Sequence, residues 1–272
     1  MPPVADLLPM LGLLIVIGGI AGVIAGLLGV GGGIVLVPAF FYAFSYLGYG
    51  GPQLMQVCLA TSLATIVVTS VRSVHAHNRR GAVDWAILRG WAPGIALGAV
   101  IGVLVASGLR TPALQAIFGA LALTVALYLG FGRAEWRIGP AMPRGPVRAA
   151  LSPAVGFLSV LMGIGGGSFG VPLMSLSGVP IHRAVATAAG FGVLIAVPAV
   201  IAFLLLPVAA PPPLTVGAVN LPAFAVIIAM TLITTPVGVK LAHGTDPRRL
   251  RRVFALFIGI VALNMLRKVA GW

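Results

Sequence analysis

The residues best suited to chemistry in this chain carry no charge. Gly29, Gly31, Gly32 and Gly33 fall within "GVGGGIVLVP" (29–38), and Gly163, Gly165, Gly166 and Gly167 fall within "GIGGGSFGVP" (163–172), followed directly by Ser168. Each glycine costs a helix roughly 1 kcal/mol against Ala, so two such clusters in apolar runs need a reason. A helix that breaks at the cluster restarts at membrane depth with its first backbone N–H groups unpaired. Those donors and the positive end of the helix dipole make an anion site without a charged side chain. Close packing is the competing reading, and Gly18, Gly22 and Gly26, spaced by four, read that way. For the clusters, duplication and the prolines five residues further on (Pro38, Pro172) favour broken helices.

Hydroxyls accompany the clusters. Cys58, Thr61, Thr65, Thr69 and Arg72 recur at helical spacing and form the polar face of one apolar span. Ser62 lies beside Thr61. In the second half Thr187 matches Thr61, while Ala188 stands where Ser62 does. A polar stripe in a membrane helix faces the bundle interior or a pathway; alternatively its Thr hydroxyls bond carbonyls of their own helix. Both readings stand. Arg72 and Arg183 sit near one predicted mouth, where they would attract an anion, although topology alone also puts arginines there.

Other chemistry is poorly supported. Asp6, Asp84, Glu135 and Asp246 all lie in loops or at span ends, so no carboxylate relay or carboxylate cation site is expected. His75, His77 and His182 lack partners at metal-ligand spacing and read as interfacial. Gly165-x-Gly167-x-x-Gly170 fits a dinucleotide fingerprint by spacing, yet no strand precedes it and no acid follows at the required distance. Neither a metal, a cofactor nor an enzymatic activity is expected.

The elements that must position these residues are membrane helices. Of 272 residues 60% are hydrophobic and only 8% charged, with a mean hydropathy of +1.13; soluble domains carry about 25% charged residues. Apolar runs fall at about 7–28, 34–47, 53–74, 87–107, 112–131, 149–163, 168–177, 184–206, 221–241 and 253–267. The second and seventh are short for spanning helices, and each follows a glycine cluster. The first run lacks a basic leader and reads as a retained helix rather than a signal peptide. Trp85, Trp91, Trp136 and Trp272 lie near span ends, as interfacial anchors do. The net charge of +13 sits in short blocks between spans, a topology signal rather than a nucleic-acid surface.

The chain also resembles itself. Besides the glycine segments, "LATSLA" (59–64) matches "VATAAG" (185–190), "GAVDW" (81–85) matches "GAVNL" (217–221), and 108–121 matches 244–257. Two transmembrane repeats follow, 7–131 and 149–268, joined by a basic linker at 132–148. Basic loop 72–89 matches uncharged loop 207–220, while 108–111 with one Arg matches arginine-rich 243–252. Matching loops of opposite charge imply opposite sides, hence inverted repeats. The expected fold is an all-α polytopic membrane protein of two inverted repeats, each of about five helical segments, with short or broken helices after the glycine clusters. Loops 72–89, 132–148 and 243–252 are then cytoplasmic and the N-terminus outside.

The duplicated glycine segments, the "ATS" and "ATA" segments after each short helix, and the "GAVDW" loop together resemble the sulfite exporter TauE/SafE family of bacterial membrane permeases. That resemblance implies a multi-pass protein of the cytoplasmic (inner) membrane that moves sulfur-containing anions such as sulfite or organosulfonates, usually outward. The expected substrate site comprises Gly31, Gly32, Gly33, Thr61, Ser62, Thr65, Gly165, Gly166, Gly167, Ser168 and Thr187, with Arg72 and Arg183 at the mouth. The partners are the anion and the lipid bilayer; a homodimer is allowed and nucleic acid is not expected. A channel-like anion pore, or uptake of another small organic anion, is the alternative.

Overall fold

The computed structural model describes residues 4–28, 33–132, 136–243 and 247–271. Within them the chain forms ten helices: α1 (Val4–Leu28), α2 (Gly33–Tyr46), α3 (Leu54–Asn78), α4 (Trp85–Gly108), α5 (Thr111–Phe131), α6 (Gly145–Leu161), α7 (Gly167–Leu176), α8 (Ile181–Leu204), α9 (Leu221–His243) and α10 (Pro247–Val269). Each falls on one predicted apolar run. A two-residue hairpin, Thr215–Val216 against Val219–Asn220, precedes α9. Among the described residues, five helices are long and apolar enough to span a membrane. This is an all-α polytopic membrane protein.

The two short helices are those after the glycine clusters. At about 1.5 Å per residue, α2 and α7 reach roughly 21 and 15 Å, short of the ~30 Å hydrocarbon core. Each carries proline at its sixth residue, Pro38 and Pro172.

Packing pairs the helices across the two halves. Helix α1 lies on α9 and α4 on α6, while α3 meets α8 and α5 meets α10. Exchanging the halves in order (α1 with α6, α2 with α7, and so on) maps this set of pairs onto itself. Small residues make the closest seams. Gly18 backs on Met230 and Gly22 on Thr231 and Thr234, which fits their packing role. In the α4–α6 seam Gly94 faces Ser152, Gly98 the carbonyl of Pro153, and Gly156 the carbonyl of Ile95.

Helix α3 lies deepest: 78% of its most apolar window is buried, against 50% or less for the other candidate spans. Its core side chains Met55, Leu59, Leu63 and Ile66 are fully buried with Phe40, Phe44 and Phe191. Outward faces of α1, α4, α8 and α10 carry exposed Ile20, Leu104, Ile201 and Ile260, an apolar surface suited to lipid.

The ends of the bundle gather distinct loops. Arg251, at the start of α10, donates through Nη2 to the carbonyls of Tyr128 (2.9 Å) and Gly132 (2.7 Å) at the end of α5. Arg183, at the start of α8, pairs with Asp84 before α4. At the opposite end Gln53 bonds the carbonyl of Pro207 and the amide of Ala209, and Thr111 N–H bonds the carbonyl of Pro52.

One seam offers a direct stability test. A Cβ at Gly98 runs into the Pro153 backbone, whereas one at Gly108 meets nothing within 4 Å. Gly98→Ala is expected to cost about 1–3 kcal/mol and Gly108→Ala less than about 0.5, read as thermal midpoints in detergent. Equal midpoints would contradict the seam.

Candidate functional site

The second glycine segment is a helix end, a turn and a helix start in immediate succession. Helix α6 ends at Leu161 with Met162 as its C-cap, and Gly163 takes the left-handed conformation (φ +59°) that glycine adopts without steric cost. Gly163 N–H bonds the Val160 carbonyl at 2.9 Å and Ile164 N–H the Ser159 carbonyl at 2.9 Å, the bond pair of a Schellman cap. Three residues later α7 begins. Its first helical bond runs from Gly170 N–H to the Gly166 carbonyl, and no side chain caps Gly166. The amides of Gly167 and Ser168 therefore open the helix without a side-chain acceptor, and both residues are half-buried rather than sealed.

The first segment meets this turn directly. A Cβ on Gly33 would lie 2.9 Å from the Gly163 carbonyl oxygen and 3.1 Å from Ile164 Cα, so backbone packs on backbone there. That same carbonyl accepts from Ser62 Oγ at 2.7 Å. Gly165 and Gly166 are buried: Gly165 faces Ile66, and Gly166 is pressed on Phe191 Cβ and the Ala188 carbonyl. Gly31 and Gly32 lie outside the described residues. Among the described residues of the two segments, Gly33 and residues 163–166 are buried, and the first turn of α7 retains partial exposure.

Thr61 and Thr187 take matched roles. Thr61 Oγ1 accepts from the backbone N–H of Asn220 at 3.0 Å. Thr187 Oγ1 accepts from the backbone N–H of Asp84 at 2.9 Å. Each threonine belongs to one half and each amide to the other, and both threonines are fully buried. Asp84 and Asn220 occupy the same place in "GAVDW" and "GAVNL", and both cap the following helix. Asp84 Oδ1 accepts from Ala86 and Ile87, and Asn220 Oδ1 from Ala223. The glycines opening these loops, Gly81 and Gly217, share a positive φ. Two like closures thus tie the halves together, one at each end.

The closures differ in charge. At the Asp84 end a second carboxylate oxygen holds Arg183 Nη2 at 3.1 Å, with side chains 52% and 22% exposed. At the Asn220 end the side chain has only neutral partners among the described residues: Oδ1 accepts from Ala223, and Nδ2 donates to the Pro213 carbonyl and to Thr215 Oγ1.

The remaining predicted residues fall into two groups. Thr65 Oγ1 donates to the Ser62 carbonyl at 2.7 Å and Thr69 Oγ1 to the Thr65 carbonyl at 3.1 Å, so both bond their own helix. Arg72 is exposed, whereas Arg183 lines a cavity of about 370 Å³ with Asp84, Trp91, Arg144 and Arg148. Trp91 corrects an expectation: it is 2% exposed and stacks on Phe191 at 6.1 Å, so it is a core residue rather than an interfacial anchor. Trp85 and Trp136 are exposed as expected, and Trp272 lies outside the described residues. The sequence reading does not count Asp84, Asn220 or Trp91 among the site residues. The signal for the first two was present, since Asp and Asn are both helix-capping types at matched positions.

A bilayer-spanning helical bundle in which interrupted helices meet at the core has the architecture of secondary transporters. The chain belongs to the sulfite exporter TauE/SafE family, whose model matches residues 14–265. It is similar to a probable membrane transporter protein of Haemophilus influenzae, 31% identical over 260 residues that cover 94% of this chain and 98% of the relative. A probable membrane transporter protein of Methanocaldococcus jannaschii is 27% identical over 263 residues, covering 96% and 97%. No solved structure matches the chain. The protein is a membrane transporter of this family.

The single cysteine reports on one closure. Cys58 is fully buried on α3, one turn before Thr61. Thr61→Val leaves the Asn220 amide without its acceptor, a loss of about 1–3 kcal/mol, and should speed maleimide labelling of Cys58 by about 5- to 160-fold. Thr61→Ser keeps the acceptor and should label like the parent. Equal labelling rates for Thr61→Val and the parent would contradict this closure.

Proposed function

We propose that the protein carries a small sulfur-containing anion, sulfite or an organosulfonate such as sulfoacetate, outward across the bacterial cytoplasmic membrane, and that it has no catalytic activity. One observation carries this reading: the Gly33 backbone adjoins the Gly163 turn beside the uncapped first amides of α7. Amides at a helix start favour negative charge, and among the described residues no acidic side chain caps them. The anion would sit against Gly165, Gly166, Gly167 and Ser168, faced by Gly31–Gly33. Thr61, Ser62, Thr65 and Thr187 would hold these segments in place through their hydroxyls.

Residues 7–131 and 149–268 are read as inverted repeats joined by linker 132–148. The exchange of packing pairs and the matched Thr61–Asn220 and Thr187–Asp84 bonds support this. Arg79, Arg80, Arg144, Arg148, Arg183 and Arg251 belong to the loops and helix starts of one end, which supports assigning that end to the cytoplasm and the N-terminus to the outside. Access then alternates as one closure opens while the other holds. The membrane potential alone, about 2.3 kcal/mol per charge per 100 mV, drives an anion out of a negative interior.

Ser168→Asp separates this site from mere packing. A carboxylate in the first turn of α7 favours the helix yet repels an anion there. In proteoliposomes the parent should show saturable sulfite or sulfoacetate flux, and Ser168→Asp should lose about tenfold or more with an unchanged thermal midpoint. Undiminished flux in Ser168→Asp would overturn the site, and conductance without saturation would favour a pore.

A further inference from the structure

The cavity of about 370 Å³ at the Asp84 end is a second site that the glycine junction does not explain. Its walls come from three separate stretches of chain: the start of α4 (Asp84 to Trp91), the 140–148 segment leading into α6, and the 177–183 turn into α8. Three guanidinium groups, on Arg144, Arg148 and Arg183, line it, and the one carboxylate among the lining residues is Asp84. Both oxygens of Asp84 are engaged, Oδ1 by the α4 amides and Oδ2 by Arg183. Among the described residues no carboxylate lies within ion-pair distance of Arg144 or Arg148. Arginine does not lose its charge in proteins, so among the described residues the walls keep two positive charges without a counter-charge.

The cavity also abuts the junction. Trp91, in its wall, stacks on Phe191, and Phe191 packs on Gly166. One aromatic pair therefore separates the cavity from the glycine segment, and the Arg183–Asp84 pair stands beside it. Three-sided enclosure and this size are typical of small-molecule sites.

We propose that this cavity binds a small organic dianion, a sulfonate or carboxylate bearing a second acidic group, held between Arg144 and Arg148. Its role as the loading station for export rests on the function proposed above; the binding itself does not. Planar guanidinium forks suit both carboxylate and sulfonate oxygens. A dianion at this place also competes with Asp84 for Arg183, and so loosens the closure that Thr187 and Asp84 make.

The test is calorimetric titration of the full chain in nanodiscs, with sulfoacetate as the dianion and methanesulfonate as the monoanion. Sulfoacetate should bind about tenfold or more tightly than methanesulfonate. Arg144→Gln and Arg148→Gln should each weaken sulfoacetate about tenfold, while Arg79→Gln/Arg80→Gln, with two charges removed outside the cavity, should not. Arg144 is exposed, so Arg144→Gln carries the test even where Arg148→Gln fails to fold. Equal weakening by Arg79→Gln/Arg80→Gln, or no preference for the dianion, overturns the proposal. Discs of zwitterionic lipid and discs containing phosphatidylglycerol should give the same affinity. A drop with phosphatidylglycerol that disappears in Arg144→Gln would make this a lipid headgroup site and overturn it as well. Sulfoacetate binding without flux supports the cavity and refutes the transport reading; flux with no binding here refutes the cavity alone.

Discussion

The centre of this molecule depends on backbone meeting backbone at Gly33 and the Gly163 turn. No side chain beyond hydrogen fits at Gly33 without displacing the Gly163 carbonyl or Ile66. Breaking helices inside a membrane is costly, because every unpaired N–H or C=O in hydrocarbon costs several kcal/mol. The break at Gly163 is tolerated because its groups find partners in the turn and in the other half. The Schellman cap uses the amides of Gly163 and Ile164, and Ser62 takes the Gly163 carbonyl. Among the described residues, the start of α7 is left without a side-chain cap, and it is there that we propose the anion binds.

Around this junction the halves are fastened twice by the same device. A buried threonine oxygen on a central helix receives the backbone amide of a capping residue from the opposite half, once at each end. A bond of this kind contributes on the order of 1 kcal/mol net, so neither closure is permanent. Ordinary differential binding can open one and spare the other. The ends are not equivalent. Arg183 adds an exposed ion pair at the Asp84 end, where basic side chains also line the cavity, while the Asn220 end is closed by neutral groups. In the mechanism proposed above, a charged ligand acts on the Asp84 closure rather than on the Asn220 closure.

The ten helices were legible because each is a local property: an apolar run bounded by glycine, proline or charge. The short α2 and α7, with their equivalent prolines, were legible for the same reason. Hydrogen-bond partners were harder to read. The sequence placed Thr61, Ser62 and Thr187 near the site, and the structure has all three hydroxyls engaged with the opposite half; which amide each would meet is a tertiary outcome. For Thr65 and Thr69 the own-helix alternative is the bonding observed. Trp91 misled because proximity to a span end suggests an interface, whereas stacking on Phe191 pulls the ring into the core. Arg144 and Arg148 lie within the basic linker 132–148 and at its end, and only folding brings them to one cavity with Asp84 and Arg183. The hairpin at Thr215–Asn220 has too few residues to show a periodicity.

The central claim, that the start of α7 at the junction of the two glycine segments receives an anion, is most directly tested by an experimental structure obtained with selenite, whose selenium scatters anomalously. The account predicts an anomalous peak against the amides of Gly167 and Ser168, facing Gly33. An ordered junction with no peak there, in a sample that transports selenite, would contradict it.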